Sequence, residues 1–228
     1  MPEGRTDTPR RARAARLAGL YALTPDLHDT AALVAKAAAA VAGGASAIQY
    51  RNKSAPPALR REQARALAGL CAARGALFIV NDDVDIAREV DADGVHIGED
   101  DGAVARARAT LGPDRLIGVS CYDEFERAQG VIDAGADYVA FGSFFPSATK
   151  PEARRADPAL LARAATLSVP VVAIGGITAA NAATLIDAGA AAVAVIGDVF
   201  AHDELPAIER AAAAIAALFA KRTSSERP

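Results

Sequence analysis

The fold is decided by a short pattern that recurs along the chain: Gly135-Ala136-Asp137-Tyr138-Val139-Ala140-Phe141-Gly142, a turn of small residues followed by an apolar run that ends in glycine. Three further stretches share this pattern, and each ends in a polar residue or glycine: residues 43–50, 91–98 and 189–197. Their starts are about 45 to 55 residues apart. That interval has room for two strand–helix units, so the chain reads as four similar pairs of units.

Four more apolar runs lie between these repeats, at Leu20–Leu23, Leu77–Val80, Leu116–Ser120 and Val171–Ile174. All eight runs are short and nearly continuous in apolar residues, which is typical of parallel strands buried on both faces. Segments of helical length and spacing separate them: residues 30–42, 57–73, 84–90, 101–109, 124–133, 158–166, 180–187 and 206–220. This alternation predicts an α/β fold, a single-domain (β/α)8 TIM barrel. An open doubly wound sheet is the alternative, and the fourfold repeat favours closure.

The predicted barrel covers residues 17–220, leaving an Arg-rich tail over 1–16 that we expect to be disordered and a C-terminal tail over 221–228. The first tail carries five arginines and only two acidic residues, Glu3 and Asp7, so its own net charge is positive. Because the whole chain has a net charge of −3, the rest of the chain is more acidic than that figure suggests. An acidic body argues against nucleic-acid binding. No apolar run suits a membrane span or signal peptide. Two distant cysteines favour a reducing cytoplasm, and a homo-oligomer remains possible.

Polar residues cluster where strands end, which is where barrels of this type place their active sites. The second strand runs into Gln49-Tyr50-Arg51-Asn52-Lys53. If the strand persists, Gln49, Arg51 and Lys53 point into the barrel opening together. An amide and two cations in one place suit an anion that carries a polar ring. A solvated charged loop is the other interpretation.

Acidic residues follow the third and fourth strands, at Asn81-Asp82-Asp83 and at Glu99-Asp100-Asp101. Carboxylates from two strand ends could together hold Mg²⁺, which takes one or two protein carboxylates and leaves other positions to water and phosphate. For Asp83 and Asp100, helix capping is an equally good interpretation. His96 lies within a strand, where a lone histidine is more often a satisfied core residue than a base.

The last three strands lead into segments suited to phosphate. The sixth runs into Gly142–Pro151, which contains glycine, hydroxyl groups and Lys150. The seventh ends in Gly175-Gly176 and the eighth in Ile196-Gly197. Glycines after strands seven and eight match the recurrent phosphate site of such barrels, where backbone amides and a helix N-terminus bind the anion.

Taken together, these motifs resemble those of the thiamine phosphate synthases from about Leu20 to Phe200. The resemblance rests on Q-x-R-x-K at Gln49, Arg51 and Lys53, N-D at Asn81 and Asp82, G-x-H-x-G…D at Gly94, His96, Gly98 and Asp101, G-x-x-x-P-[ST]-x-T-K from Gly142 to Lys150, and I-G-G-I-T over Ile174–Thr178. It implies an enzyme that joins a hydroxymethylpyrimidine diphosphate to a thiazole phosphate and releases pyrophosphate.

The resemblance also implies roles for individual residues. The pyrimidine diphosphate would be held by Gln49, Tyr50, Arg51, Asn52, Lys53, Asn81, His96, Ser120 and Lys150, of which Arg51, Lys53, Ser120 and Lys150 would assist catalysis. The cofactor Mg²⁺ would be bound by Asp82 and Asp101. The thiazole phosphate would be held by Ser147, Ala148, Thr149, Gly176, Ile196 and Gly197.

Four positions depart from the usual pattern: Glu99, Ser143, Ser147 and Gly197. Three other functions remain as alternatives. A thiazole tautomerase shares the fold but lacks the N-D pair. A sugar-phosphate isomerase or epimerase needs an acid/base pair, for which only His96 with a nearby carboxylate could serve. A non-catalytic phosphate-binding barrel would have no reason to keep this set of charged residues. All three are therefore less favoured than the synthase.

Overall fold

The structure, a computed structural model, describes residues 9–98, 103–146 and 154–225, with side chains up to residue 221. Its strands are β1 Gly19–Leu23, β2 Ala45–Tyr50, β3 Leu77–Asn81, β4 Gly94–Ile97, β5 Leu116–Tyr122, β6 Tyr138–Phe141, β7 Val171–Ile174 and β8 Ala192–Val195. Its helices are α1 Pro9–Ala15, α2 Thr30–Ala42, α3 Pro57–Arg74, α4 Val84–Glu89, α5 Ala103–Leu111, α6 Phe125–Asp133, α7 Ala159–Ala164, α8 Ala182–Asp187, α9 Gly197–Phe200 and α10 Leu205–Ser225.

The eight strands form a closed parallel barrel in chain order, and β8 pairs with β1 to complete it. The predicted barrel is therefore confirmed, and the open sheet is wrong. One face of each strand packs inside the cylinder, and the other face packs against the surrounding helices. This double burial explains why the strands are continuously apolar in sequence.

The repeated motif positions the strands at the amino-terminal end of the barrel. Asp93 precedes β4, and its carboxylate accepts a hydrogen bond from the Phe78 amide of β3 at 2.9 Å. Asp137 precedes β6 and accepts one from the Ile117 amide of β5 at 2.9 Å. Each aspartate thus ties its own strand to the preceding one, which fixes the register between them.

Glycine makes room for the largest side chain inside the cylinder. A Cβ atom at Gly118 of β5 would lie 1.9 Å from Cζ of Tyr138, which is fully buried on β6. Real carbon atoms cannot approach so closely, so Gly118 is required for the Tyr138 ring to occupy the barrel interior.

The expectation of a disordered tail over residues 1–16 is wrong for its second half. Pro9–Ala15 form α1, which lies across the amino-terminal end of the barrel. Arg10 pairs with Asp137 at 3.1 Å and Arg13 with Asp93 at 2.9 Å, while Leu17 is 1% exposed. The aspartates of the repeat give these arginines fixed partners, which a composition argument does not consider. Residues 1–8 lie outside the described residues.

The C-terminal boundary also differs from the prediction, because α10 continues to Ser225 instead of ending at residue 220. Across the described part of the chain, no helix combines the length and the apolar character needed to cross a membrane.

The two cysteines, Cys71 and Cys121, are free and buried, and burial raises the pKa of both thiols to about 12. Both are therefore unreactive core residues.

Candidate functional site

The carboxyl ends of the eight strands lie at one end of the barrel, which we call the mouth. Because all strands are parallel, the residues that end or follow them share this rim. The sequence-predicted residues that the structure brings to the mouth are Gln49, Arg51, Lys53, Asn81, Asp82, Ser120, Gly176, Ile196 and Gly197.

The β2 segment presents a cation that is held in place by its neighbours. The strand ends at Tyr50, so the expected strand alternation does not extend to Lys53, which is exposed. Arg51 and Thr24 are joined twice: the Arg51 amide donates to Thr24 Oγ1 at 2.9 Å, and Thr24 Oγ1 donates to the Arg51 carbonyl at 3.1 Å. Asp26 Oδ1 lies 3.4 Å from Arg51 Nη1 and accepts from the Lys53 amide at 3.3 Å.

Two residues predicted to bind the pyrimidine diphosphate turn their side chains away from the mouth. Tyr50 donates its hydroxyl to Gln63 Oε1 at 2.9 Å, and Asn52 donates to the Leu27 carbonyl at 2.7 Å and to Gln63 Oε1 at 3.0 Å. Both side chains are thus held by bonds within the protein, and their predicted contact with the pyrimidine diphosphate stays a prediction. Successive side chains leave a strand on opposite faces, so the neighbours of Gln49 and Arg51 face the helix layer and shape the loop.

The β3 segment presents Asp82 in a strained backbone conformation. Its φ is +63°, its amide donates to the His96 carbonyl at 2.8 Å, and its carboxylate accepts from Asn81 Nδ2 at 2.7 Å. Left-handed backbone in a residue other than glycine concentrates at functional sites. Asp83, whose role was open, caps α4 by accepting from the Ile86 amide at 3.0 Å.

A small cavity of about 70 Å³ opens between the ends of β2 and β3. Arg51, Lys53 and Asp82 line it, together with Arg60 from α3. Arg60 Nη1 lies 3.6 Å from an Asp83 carboxylate oxygen. The rim of this cavity therefore combines three cations with two carboxylates, of which Asp83 pairs with Arg60, and this mixture suits an anion accompanied by a divalent cation.

His96 lies deeper in the barrel, and the structure assigns it no direct access to the mouth. Its Nδ1 lies 3.1 Å from the Tyr138 hydroxyl and its Nε2 lies 2.9 Å from Ser120 Oγ. Burial lowers the His96 pKa to about 4. The ring is thus a buried residue whose two nitrogens both have partners, as the interpretation as a satisfied core residue expected. Its predicted part in binding the diphosphate stays a prediction.

The ends of β7 and β8 form the opposite side of the mouth. Gly175 and Gly176 both have positive φ, and a Cβ at Gly176 would lie 2.2 Å from the Pro146 carbonyl. The turn therefore packs directly against the segment that follows β6. Asp198 accepts from the Ala179 amide at 2.9 Å, which links the two strand ends and holds Gly197 beside the Gly175-Gly176 turn.

Five predicted site residues lie outside the described residues: Asp101, Ser147, Ala148, Thr149 and Lys150. Within the described ranges, no group of three or more His, Cys, Asp or Glu side chains could hold a metal ion. Asp82 presents one exposed carboxylate beside the cavity that Arg51 and Lys53 line, and Mg²⁺ commonly takes one or two protein carboxylates.

Comparison with known proteins agrees with this arrangement. The family model described as thiamine monophosphate synthase matches residues 20–199. The chain belongs to this family. A thiamine-phosphate synthase of Chromobacterium violaceum is 56% identical over 87% of this chain and 96% of that protein, and one of Thiobacillus denitrificans is 54% identical over 89% and 95%. A solved structure of thiamine phosphate pyrophosphorylase from Pyrococcus furiosus has a TM-score of 0.78 at 33% identity, covering 91% of this chain and 98% of that one.

In this member of the thiamine monophosphate synthase family, sequence reasoning missed several residues that organise the site. Thr24 and Asp26 follow β1 and could have been found by treating the first strand end like the others. Arg60 lies one turn inside α3, so no strand-end rule points to it. Tyr21 lies within the apolar strand β1, and Tyr138 begins the apolar strand β6. Nothing in the sequence pattern indicates that their hydroxyls take part in the site.

Proposed function

We propose that the protein is a thiamine-phosphate synthase. It condenses 4-amino-2-methyl-5-(diphosphooxymethyl)pyrimidine with 4-methyl-5-(2-phosphoethyl)thiazole, or the thiazole carboxylate, to give thiamine phosphate and pyrophosphate. The observation that carries the proposal is membership of the family over residues 20–199, which include every strand of the barrel from β2 to β8. The cationic cavity beside Asp82 supports it with a site of matching charge.

In the proposed reaction, the bond between the pyrimidine methylene and the diphosphate oxygen breaks first. Negative charge grows on the departing diphosphate, and Arg51, Lys53 and Lys150 stabilise it electrostatically. Departure leaves a delocalised pyrimidine cation, which the thiazole nitrogen captures. Binding both substrates in one mouth supplies the entropic advantage of a reaction between held partners.

This route needs no protein nucleophile, and the geometry around Ser120 fits that expectation. Ser120 Oγ lies 2.9 Å from His96 Nε2, which superficially resembles a nucleophile and its base. The other ring nitrogen faces the neutral hydroxyl of Tyr138 instead of a carboxylate, and burial lowers the His96 pKa to about 4. Such an imidazole is a poor base near neutral pH, so activation of Ser120 for attack is disfavoured.

We propose that Asp82 and Asp101 hold Mg²⁺. The exposed carboxylate of Asp82 at the rim, next to Arg51 and Lys53, fits a cation that retains water and phosphate ligands. When bound, Mg²⁺ supplies neutralisation of charge on the diphosphate oxygens. Asn81, whose amide donates to Asp82 Oδ2 at 2.7 Å, orients that carboxylate from the adjacent position.

The opposite side of the mouth would bind the thiazole phosphate. Gly176, Ile196 and Gly197 bring backbone to the rim without bulky side chains, and the helix α9 begins at Gly197. Amides at such a turn suit a phosphate. Side chains from Ser147 and Thr149, and the backbone of Ala148, would complete the site. The substrates are small molecules, and buried free cysteines are consistent with the cytoplasmic location that we propose.

The test is a two-substrate assay with Mg²⁺, in which pyrophosphate release and thiamine phosphate are measured. The wild type is expected to turn over both substrates, and Asp82→Ala and Lys150→Ala are expected to lose at least about 100-fold in kcat/KM, the scale typical of removing a charge-stabilising group. Asp85→Ala is the matched control, because this exposed aspartate of α4 pairs with Arg88 and does not line the cavity.

Normal rates in both site variants would refute the assignment of the site. Turnover of only a thiazole carboxylate isomer, with no pyrophosphate released, would favour a tautomerase-like isomerase. Binding of phosphate ligands without any turnover would favour a non-catalytic barrel.

A further inference from the structure

A continuous chain of hydrogen bonds crosses the interior of the barrel. Gln49 Nε2 lies 2.7 Å from the Tyr21 hydroxyl, which lies 3.0 Å from the Tyr138 hydroxyl. The Tyr138 hydroxyl lies 3.1 Å from His96 Nδ1, and His96 Nε2 lies 2.9 Å from Ser120 Oγ. We call these five residues the relay. Its two ends, Gln49 and Ser120, are both at the mouth, while its centre is buried.

One end of the relay sets the direction of every hydrogen bond in it. An amide nitrogen can only donate, so Gln49 donates to Tyr21. Tyr21 then donates its proton to Tyr138, and Tyr138 donates to His96 Nδ1. A ring nitrogen that accepts carries no proton in a neutral imidazole, so the His96 proton is on Nε2 and is donated to Ser120 Oγ.

The reverse order of protons in the tyrosine pair is disfavoured by burial. If Tyr138 donated to Tyr21, the Tyr21 hydroxyl would accept from both neighbours, and its own proton would have no acceptor within the relay. Tyr21 is 1% exposed and Tyr138 is 0% exposed, so water cannot supply one. Leaving a buried donor without a partner is unfavourable. Burial also raises the pKa of both tyrosines, which keeps both hydroxyls protonated.

We infer that Tyr21, Tyr138 and His96 are positioning residues that leave the Ser120 hydroxyl proton free to be donated to an anionic oxygen in the mouth. Ser120 accepts from His96, so its own proton is not needed inside the barrel. Ser120 is only partly buried, which leaves that side of the hydroxyl open to the mouth. The identity of this anion as the substrate diphosphate rests on the proposed function, whereas the direction of the relay does not.

Burial lowers the pKa of His96, which agrees with the neutral ring that the relay requires. The relay also explains why an apolar cylinder contains two tyrosines where phenylalanine would fill the same space. A Phe at either position would fill the same space, but it would break the relay and leave the neighbouring buried polar groups without a partner.

The first experiment reads the His96 tautomer directly, by nitrogen-15 NMR of the histidine-labelled protein at pH 7 without substrates. The His96 signals are assigned by their loss in His96→Gln, which separates them from those of His28 and His202. The expected result is a neutral ring with its proton on Nε2. A proton on Nδ1 would reverse the relay and overturn the inference, whatever the enzymatic activity.

The second experiment is a double-mutant cycle in the two-substrate assay. Tyr138→Phe is expected to lower kcat by about tenfold in the wild-type background and to have no further effect in Ser120→Ala, because it acts only through that hydroxyl. Equal losses in both backgrounds would refute the relay. Ser46→Ala is the control, since it removes a hydrogen bond to the Leu20 carbonyl at the other end of β2 and should leave kcat unchanged.

Tyr21→Phe provides a second variant if Tyr138→Phe is poorly folded. It removes the link to Gln49 but leaves Tyr138 able to donate to His96, so a smaller loss of kcat through Ser120 is expected. Thermal unfolding of each variant is measured alongside. An inactive wild type would refute the proposed function, and the tautomer result would still decide the relay.

Discussion

His96 should make the stability of the folded protein depend on pH between about 4 and 6.5. The ordinary pKa of 6.5 is lowered to about 4 in the folded state, because burial penalises the charged ring. In this window the unfolded chain binds a proton that the folded chain does not. The stabilisation is therefore complete above pH 6.5 and is lost as the pH falls towards 4.

The magnitude follows from the two pKa values. Each pKa unit of difference between the folded and unfolded states is worth about 1.4 kcal/mol, so lowering from 6.5 to about 4 corresponds to about 3 kcal/mol in total. Integrating over the narrower range from pH 7 to pH 4.5 gives about 2 kcal/mol. This is a large part of the 5–15 kcal/mol that is typical for the stability of a domain.

The assay is urea-induced unfolding at pH 7 and pH 4.5, in the presence of a metal chelator, for the wild type and His96→Gln. Carboxylates that titrate in the same range affect both proteins equally and cancel in the comparison. The wild type is expected to lose about 2 kcal/mol more than the variant between the two pH values. The exposed His28, replaced by Gln, serves as the matched control and should behave like the wild type.

An equal loss in the wild type and His96→Gln would refute the reasoning. It would mean that the ring is hydrated or partly charged in the folded state, and the closed interior around Tyr138 and Ser120 would then be wrong as well.

Two further predictions concern the barrel itself. Arg13→Ala should lower the free energy of unfolding by about 1–3 kcal/mol, since it removes the pair with Asp93 and the bond to the Asp114 carbonyl. Its kcat should stay unchanged, because α1 lies at the end of the barrel opposite the mouth. A loss of kcat at full stability would contradict this. Gly118→Ala should lower the free energy of unfolding by about 1–3 kcal/mol or more and also reduce kcat, because its Cβ would displace Tyr138. Chemical denaturation measures the stability, and the two-substrate assay measures kcat. A wild-type kcat would show that Tyr138 need not stay in place.

Membership of the thiamine monophosphate synthase family was within reach of the sequence, because several short motifs occur in order on predicted strand ends. The same pattern correctly predicted closure, since a fourfold repeat places equivalent units around an axis. The helix boundaries differ most at the end of α10, which continues to Ser225 instead of residue 220, because hydrophobic periodicity does not show where a helix stops.

The site was less predictable wherever it depended on the direction in which a side chain points. Tyr50 and Asn52 stand in the same motif as Gln49 and Arg51, yet their side chains face the helices, because strand alternation assigns neighbouring residues to opposite sides. Arg60 reaches the cavity from a helix, and α1 is ordered by pairing with Asp93 and Asp137 across the barrel floor. Contacts of this kind join residues distant in the chain, and no local pattern contains them.

The sequence alone therefore determined the number of strands, their parallel order and the chemical character of the residues at their ends, since these follow from local periodicity and residue type. Only the tertiary structure decided which of those residues share a surface. His96, Tyr21 and Tyr138 become one hydrogen-bonded chain solely because closure of the barrel buries three polar groups together, and buried polar groups must find partners among the neighbours that the fold provides.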